Sequence, residues 1–147
     1  MWPFNQRRYD DAAEIVGPEI AFSEFSHFNP YFDFKDGEYL LMSERNLRDF
    51  VWKYWDIMDI KYHGNSEQFP DCDDFARIVF GRILAGAIKE KFKRAPLLGV
   101  VDLRIGGGTP HEQIWAIVKG PTPLLFEPQR GTWQGILRLD SIRMISA

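Results

Sequence analysis

At 147 residues, with 45% hydrophobic and 27% charged residues, the chain has a globular composition and the size of one domain. A formal net charge of -3 argues against a nucleic-acid partner, and no run approaches the ~20 apolar residues that span a bilayer, which argues against a membrane one. The one cysteine excludes an internal disulfide, and residues 1–8 lack the apolar core of a signal peptide; the expectation is a reducing, cytoplasmic setting.

Residues 1–38 form an aromatic N-terminal arm. A short helix is expected over 10–15, ended by Gly17-Pro18. Phe22, Phe25, Phe28, Tyr31, Phe32 and Phe34 follow without a sustained period. They read as an irregular segment laid over the core, with a partner-binding surface as the second possibility. Residues 39–42 read as a short strand. Ser43 is an N-cap, and Leu47, Phe50, Val51, Tyr54, Trp55 and Met58 then recur at steps of three and four, which predicts an amphipathic helix over 44–58. After a polar loop ending at Pro70, Asp71 caps a second helix. Ile78, Val79, Ile83, Leu84, Ala87 and Ile88 supply its buried face, and the lysines beyond it suit a helix C-terminus.

From Pro96 the pattern changes. Strands are expected over 97–105, 112–118, 124–126 and 136–145, separated by Gly106–Pro110 and by Gly120–Pro123. Turns this short favour antiparallel pairing. The predicted class is α+β, helices packed on an antiparallel sheet, in one domain over 1–147 with no linker or internal repeat.

Three residues at element boundaries carry potential chemistry. Cys72 stands in Asp71-Cys72-Asp73-Asp74-Phe75-Ala76 at the start of a helix, where free backbone N–H groups favour a thiolate and can hold an oxyanion. His111 heads a strand after the triple glycine. Glu127, in Phe126-Glu127-Pro128-Gln129, closes the next strand. A thiol, an imidazole and a carboxylate are the parts of a nucleophilic site. In a tight hairpin His111 and Glu127 are not directly opposite, so a bulge or a larger crossing is expected between them.

These motifs, with Trp115 downstream of His111, resemble the transglutaminase-like cysteine peptidases of bacteria and phages, within the papain-like superfamily. The resemblance covers about residues 40–140. It implies a papain-like, transglutaminase-like core with Cys72 as nucleophile, His111 as general base and acid, and Glu127 (where the family more often has Asp) as orienting residue. Gln129 is the nearby substitute for that third role. Tyr62, His63, Asn65 and Gln68 are candidates for an oxyanion-hole side chain, and His63 is a rival base. The implied chemistry is acyl transfer on an amide bond of a protein or peptide substrate, through a thioester resolved by water or an amine, with no cofactor or metal. Trp115 and Trp133 are candidates to line the cleft or to pack in the core.

Two other readings stand beside this one. The same fold without catalysis would be a protein- or ligand-binding module. Cys72, His111 and one of Asp73, Asp74 or Glu127 would form a mixed zinc site.

Overall fold

The computed structural model of the chain describes residues 8–56, 72–105, 109–135 and 141–147. Ser43 starts the first long helix: its Oγ accepts the Asn46 N–H at 3.2 Å, and α2 (Glu44–Asp56) buries Leu47, Phe50, Val51 and Tyr54 on one stripe. The second long helix, α3 (Cys72–Lys89), lies beside it. Gly86 permits the close approach, because a Cβ there would lie 2.6 Å from the Tyr54 ring. The Tyr54 hydroxyl donates to Glu90 Oε2 at 2.5 Å, and Lys53 Nζ reaches the same oxygen at 3.0 Å.

The helices pack on a six-stranded sheet. β4 (Leu98–Ile105), β5 (Thr109–Val118), β6 (Thr122–Glu127) and β7 (Thr132–Gln134) form an antiparallel meander. On its other side β8 (Ser141–Ser146) pairs antiparallel with β4, and β2 (Tyr31–Asp33) pairs parallel with β8, giving the order β2-β8-β4-β5-β6-β7. A separate two-stranded pair joins β1 (Glu14–Val16) to β3 (Tyr39–Leu41). The α+β class and the packing of helices on a sheet are as the sequence predicts; the sheet is mixed at its β2 edge.

Both faces of the central strands are buried. Ile114, Ala116 and Val118 join Phe75, Val79, Ile83 and Ala87 of α3 in one core. Trp115 and Ile117 join a second core on the opposite face, under the N-terminal segment. There α1 (Glu19–Phe25) inserts Ala21 and Phe25, both fully buried. Phe25 meets the Trp115 ring edge-on at 5.8 Å, and Phe34 stacks on it at 5.5 Å. Aromatic pairs of this kind add about 0.5–1.5 kcal/mol to the burial of their area.

Several local expectations are corrected. The chain turns over residues 9–12 and enters β1 at Glu14, and the helix lies beyond Pro18, which supplies a fixed φ at its start. Ile88 is 78% exposed, because the buried row of α3 runs through Phe75, Val79, Ile83 and Ala87 and Ile88 lies one position off it. Thr109 and Pro110 belong to β5. The strand predicted over 136–145 corresponds to β8 over 141–145, its first five positions lying outside the described residues, and β7 is a further short strand that the sequence reading did not predict.

Phe25→Ala is expected to destabilise the fold by about 3–5 kcal/mol, the range for emptying a fully buried aromatic site. Ile88→Ala should stay within about 0.5 kcal/mol of the parent chain. Urea unfolding followed by circular dichroism distinguishes the two.

Candidate functional site

The β5–β6 hairpin places the polar residues of the sheet. Its register sets Ile114 opposite Phe126. One step further Gln113 lies opposite Glu127, with His111 one pleat beyond on the same face. No bulge is required: His111 reaches Glu127 diagonally, with Nε2 2.7 Å from Oε2. Gln113 Nε2 donates to the same oxygen at 2.5 Å, and the Gln129 backbone N–H donates to Oε1 at 3.2 Å. Gln134 Nε2, across on β7, donates to Gln113 Oε1 at 3.3 Å.

The turn after β6 fixes the carboxylate. Arg130 and Gly131 both donate backbone N–H groups to the Glu127 carbonyl, at 3.2 and 2.8 Å. Gly131 has φ 70°, and a Cβ there would meet the Trp55 ring at 2.6 Å, so glycine is needed for both the backbone angle and the space. Trp55 Nε1 donates to the Pro128 carbonyl at 2.7 Å, tying the end of α2 to this turn.

Electrostatics follow from these bonds. Burial pushes the Glu127 carboxyl up. The His111 hydrogen bond and charge, with the Gln113 and Gln129 bonds, outweigh it and hold the group below its ordinary 4.5. Glu127 is therefore ionised at neutral pH and acts only as an acceptor, which assigns the bridging hydrogen to His111 Nε2. An uncharged imidazole with its hydrogen on Nε2 carries its lone pair on Nδ1. The His111 side chain is 19% exposed and that of Glu127 12%, so the pair sits at the border of the solvent. The arrangement presents an oriented acceptor beside an exposed amide, Gln134. It can hydrogen-bond a polar ligand.

His111 and Glu127 are thus brought together, and Gln113 is the member the sequence reading overlooked. A glutamine alternating with apolar residues on the His111 parity was the available signal. Gln129 contributes its backbone. Trp115 is fully buried under the N-terminal segment, and the partly buried Trp133 packs against the other core, on Phe126 at 4.9 Å. Tyr62, His63, Asn65 and Gln68 lie outside the described residues, as do the side chains of Cys72 and Asp73. The Cys72 backbone heads α3. That helix packs on the face carrying Ile114 and Ala116, whereas the pleat turns His111 toward the Trp115 face. Among the described residues no group of His, Cys, Asp and Glu is arranged to hold a metal.

No protein-family model matches the chain, and no curated protein is significantly similar to it. Solved structures do share its fold. One is the lectin of Polyporus squamosus bound to the human-type influenza-binding epitope Neu5Aca2-6Galb1-4GlcNAc, at 22% identity and a TM-score of 0.64, over 89% of this chain and 49% of that one. Another is described as a "PSL1a-E64 complex", at 26% identity and a TM-score of 0.60, over 80% of this chain and 42% of that one. The chain spans less than half the length of either.

These likenesses correct the family reading. The fold is shared with a lectin structure, and neither similar structure is described as a transglutaminase-like peptidase. The assignment to that family, the thiol-dependent acyl transfer by Cys72, His111 and Glu127, the classification as a cysteine hydrolase and the protein or peptide substrate are all withdrawn on this finding. The motif was drawn from three short element boundaries, and the same boundaries arise wherever a helix and a hairpin pack in this order.

Because its folded pKa is lowered, Glu127 contributes stability that is fully present above its unfolded value near 4.5 and is lost as pH falls through the folded value. Glu127→Gln should therefore lower the urea midpoint at pH 7 and flatten its decline below about pH 4.5. Parallel urea titrations between about pH 7 and pH 3 measure both effects.

Proposed function

We propose that this fold serves as a ligand-binding module, and that the His111–Glu127–Gln113–Gln134 cluster is its recognition site for a hydroxyl-rich ligand of the saccharide class. The observation that carries the reading is the 2.7 Å bond from His111 to an ionised Glu127, which fixes the ring and aims its acceptor nitrogen. A sugar hydroxyl is donor and acceptor at once. It can donate to Nδ1 of His111 while accepting from an amide such as Gln134. Fixing both partners beforehand lowers the ordering cost of binding. The likeness to the Polyporus squamosus lectin supports the ligand class, and that structure extends over about twice the length of this chain.

Isothermal titration with sialylated and neutral oligosaccharides, the lectin's epitope included, tests the proposal. Binding by the parent chain and a loss of about tenfold or more in His111→Ala are expected. Failure of every saccharide to bind, or equal binding by His111→Ala, would overturn it. Labelling of Cys72 by iodoacetamide adds an independent check: the expected rate is that of free cysteine under the same conditions. Rapid labelling at neutral pH that disappears in His111→Ala would sink the purely binding role.

A further inference from the structure

One peptide group in the turn after β6 is held at both ends. Its carbonyl, on Pro128, accepts the Trp55 indole N–H at 2.7 Å. Its N–H, on Gln129, donates to Glu127 Oε1 at 3.2 Å. A trans peptide is planar and points these two groups in opposite directions, so a ring that fixes the carbonyl also aims the N–H. The other oxygen of the same carboxylate, Oε2, lies 2.7 Å from His111 Nε2. Indole, peptide, carboxylate and imidazole form one continuous series of hydrogen bonds.

This series joins the two faces of the sheet. Trp55 belongs to the helix layer, where it packs against the core and meets the Phe126 ring edge-on at 6.1 Å. His111, Gln113 and Glu127 stand on the opposite face, by the alternation of β5 and β6. The turn over 128–131 carries the connection around the end of β6. The Trp55 ring is closely confined: Gly131 lies against it with no space for a Cβ, and Trp52 tilts on it at 5.1 Å. Pro128 is buried, and a carbonyl in such surroundings needs a donor. A phenylalanine ring would fill the same apolar surroundings without reaching the turn.

We propose that Trp55 is a positioning residue of the His111 site: through the Pro128–Gln129 peptide it sets the direction of the Glu127 carboxylate, and so of the His111 ring. The inference rests on the reading of that cluster as a saccharide recognition site, and it adds a residue that touches no ligand itself. Hydrogen bonds in series polarise one another, so a carboxylate that accepts from the Gln129 N–H makes the Pro128 carbonyl a better acceptor. The coupling is reciprocal: what the indole does for Glu127, the charge of Glu127 does for the indole. Holding the imidazole in one direction before the ligand arrives lowers the ordering cost of binding.

Reciprocity gives a test in the parent chain. NMR spectra are recorded as pH falls from neutrality through the Glu127 midpoint, which lies below 4.5. The ring signals of His111, the titratable group bonded to Glu127, are followed in the same samples. The Trp55 indole signal should move at the midpoint of the Glu127 carboxyl carbon, and the half-exposed Trp52 indole should not. A Trp55 indole that ignores the protonation of Glu127 overturns the proposal. In a second arm, Trp55→Phe should move the Glu127 midpoint up toward 4.5 and weaken saccharide binding about threefold, while Trp52→Phe leaves both unchanged. An unaltered midpoint in folded Trp55→Phe, or an equal change in Trp52→Phe, also overturns it. Should Trp55→Phe not fold, the parent titration decides. If no saccharide binds the parent chain, the recognition reading fails and the indole titration still decides the role of Trp55. If a saccharide binds and the indole is silent, the site stands and the role of Trp55 falls.

Discussion

Strand β5 has no free face, and the rest of the architecture follows from that. Its even-numbered residues from Ile114 to Val118 are sealed by α3, and Trp115 and Ile117 by the N-terminal segment. A strand buried on both sides needs two covering layers, and the chain supplies them from opposite directions. α1 and the aromatic residues after it are therefore part of the domain's interior. Burying Trp115 fully also satisfies its indole, whose N–H donates to the Ser146 carbonyl at 3.0 Å and so holds β8 to the same centre.

Polar groups are confined to the end of this strand where the two cores run out. There His111 and Gln113 face one way and Glu112 the other. Each is bonded: His111 and Gln113 to Glu127, and Glu112 to Arg77. Such hydrogen bonds and ion pairs offset the cost of holding charged and amide groups this close to an apolar interior. The alternation of β5 thus produces two chemically different surfaces from three consecutive residues.

The sequence made α2 legible because its signals are local. One stripe at steps of three and four and a serine at the cap suffice, and the helix begins where Ser43 places it. The meander of β4, β5 and β6 was legible through its turns. β7 was not, because the three residues Thr132–Gln134 are too few to display an alternation. Ile88 was misread because apolar character alone does not place a residue on the buried row, which passes through Ala87 beside it. In the candidate site, the His111–Glu127 encounter depends on hairpin register, and a diagonal contact across one pleat was mistaken for a mismatch needing a bulge. Function was the least legible level. Cys72, His111 and Glu127 each sit at an ordinary boundary, and such boundaries resemble a catalytic motif without specifying one.

Trp55 has a consequence for how the protein can be observed. Its indole N–H is held by the Pro128 carbonyl, and its ring closes over Gly131. That proton is sheltered only while the last turn of α2 stays seated against the loop carrying Glu127. The deuterium uptake of one indole therefore clocks the opening of that corner, and gives the loop a readout of its own, separate from the unfolding of the whole molecule.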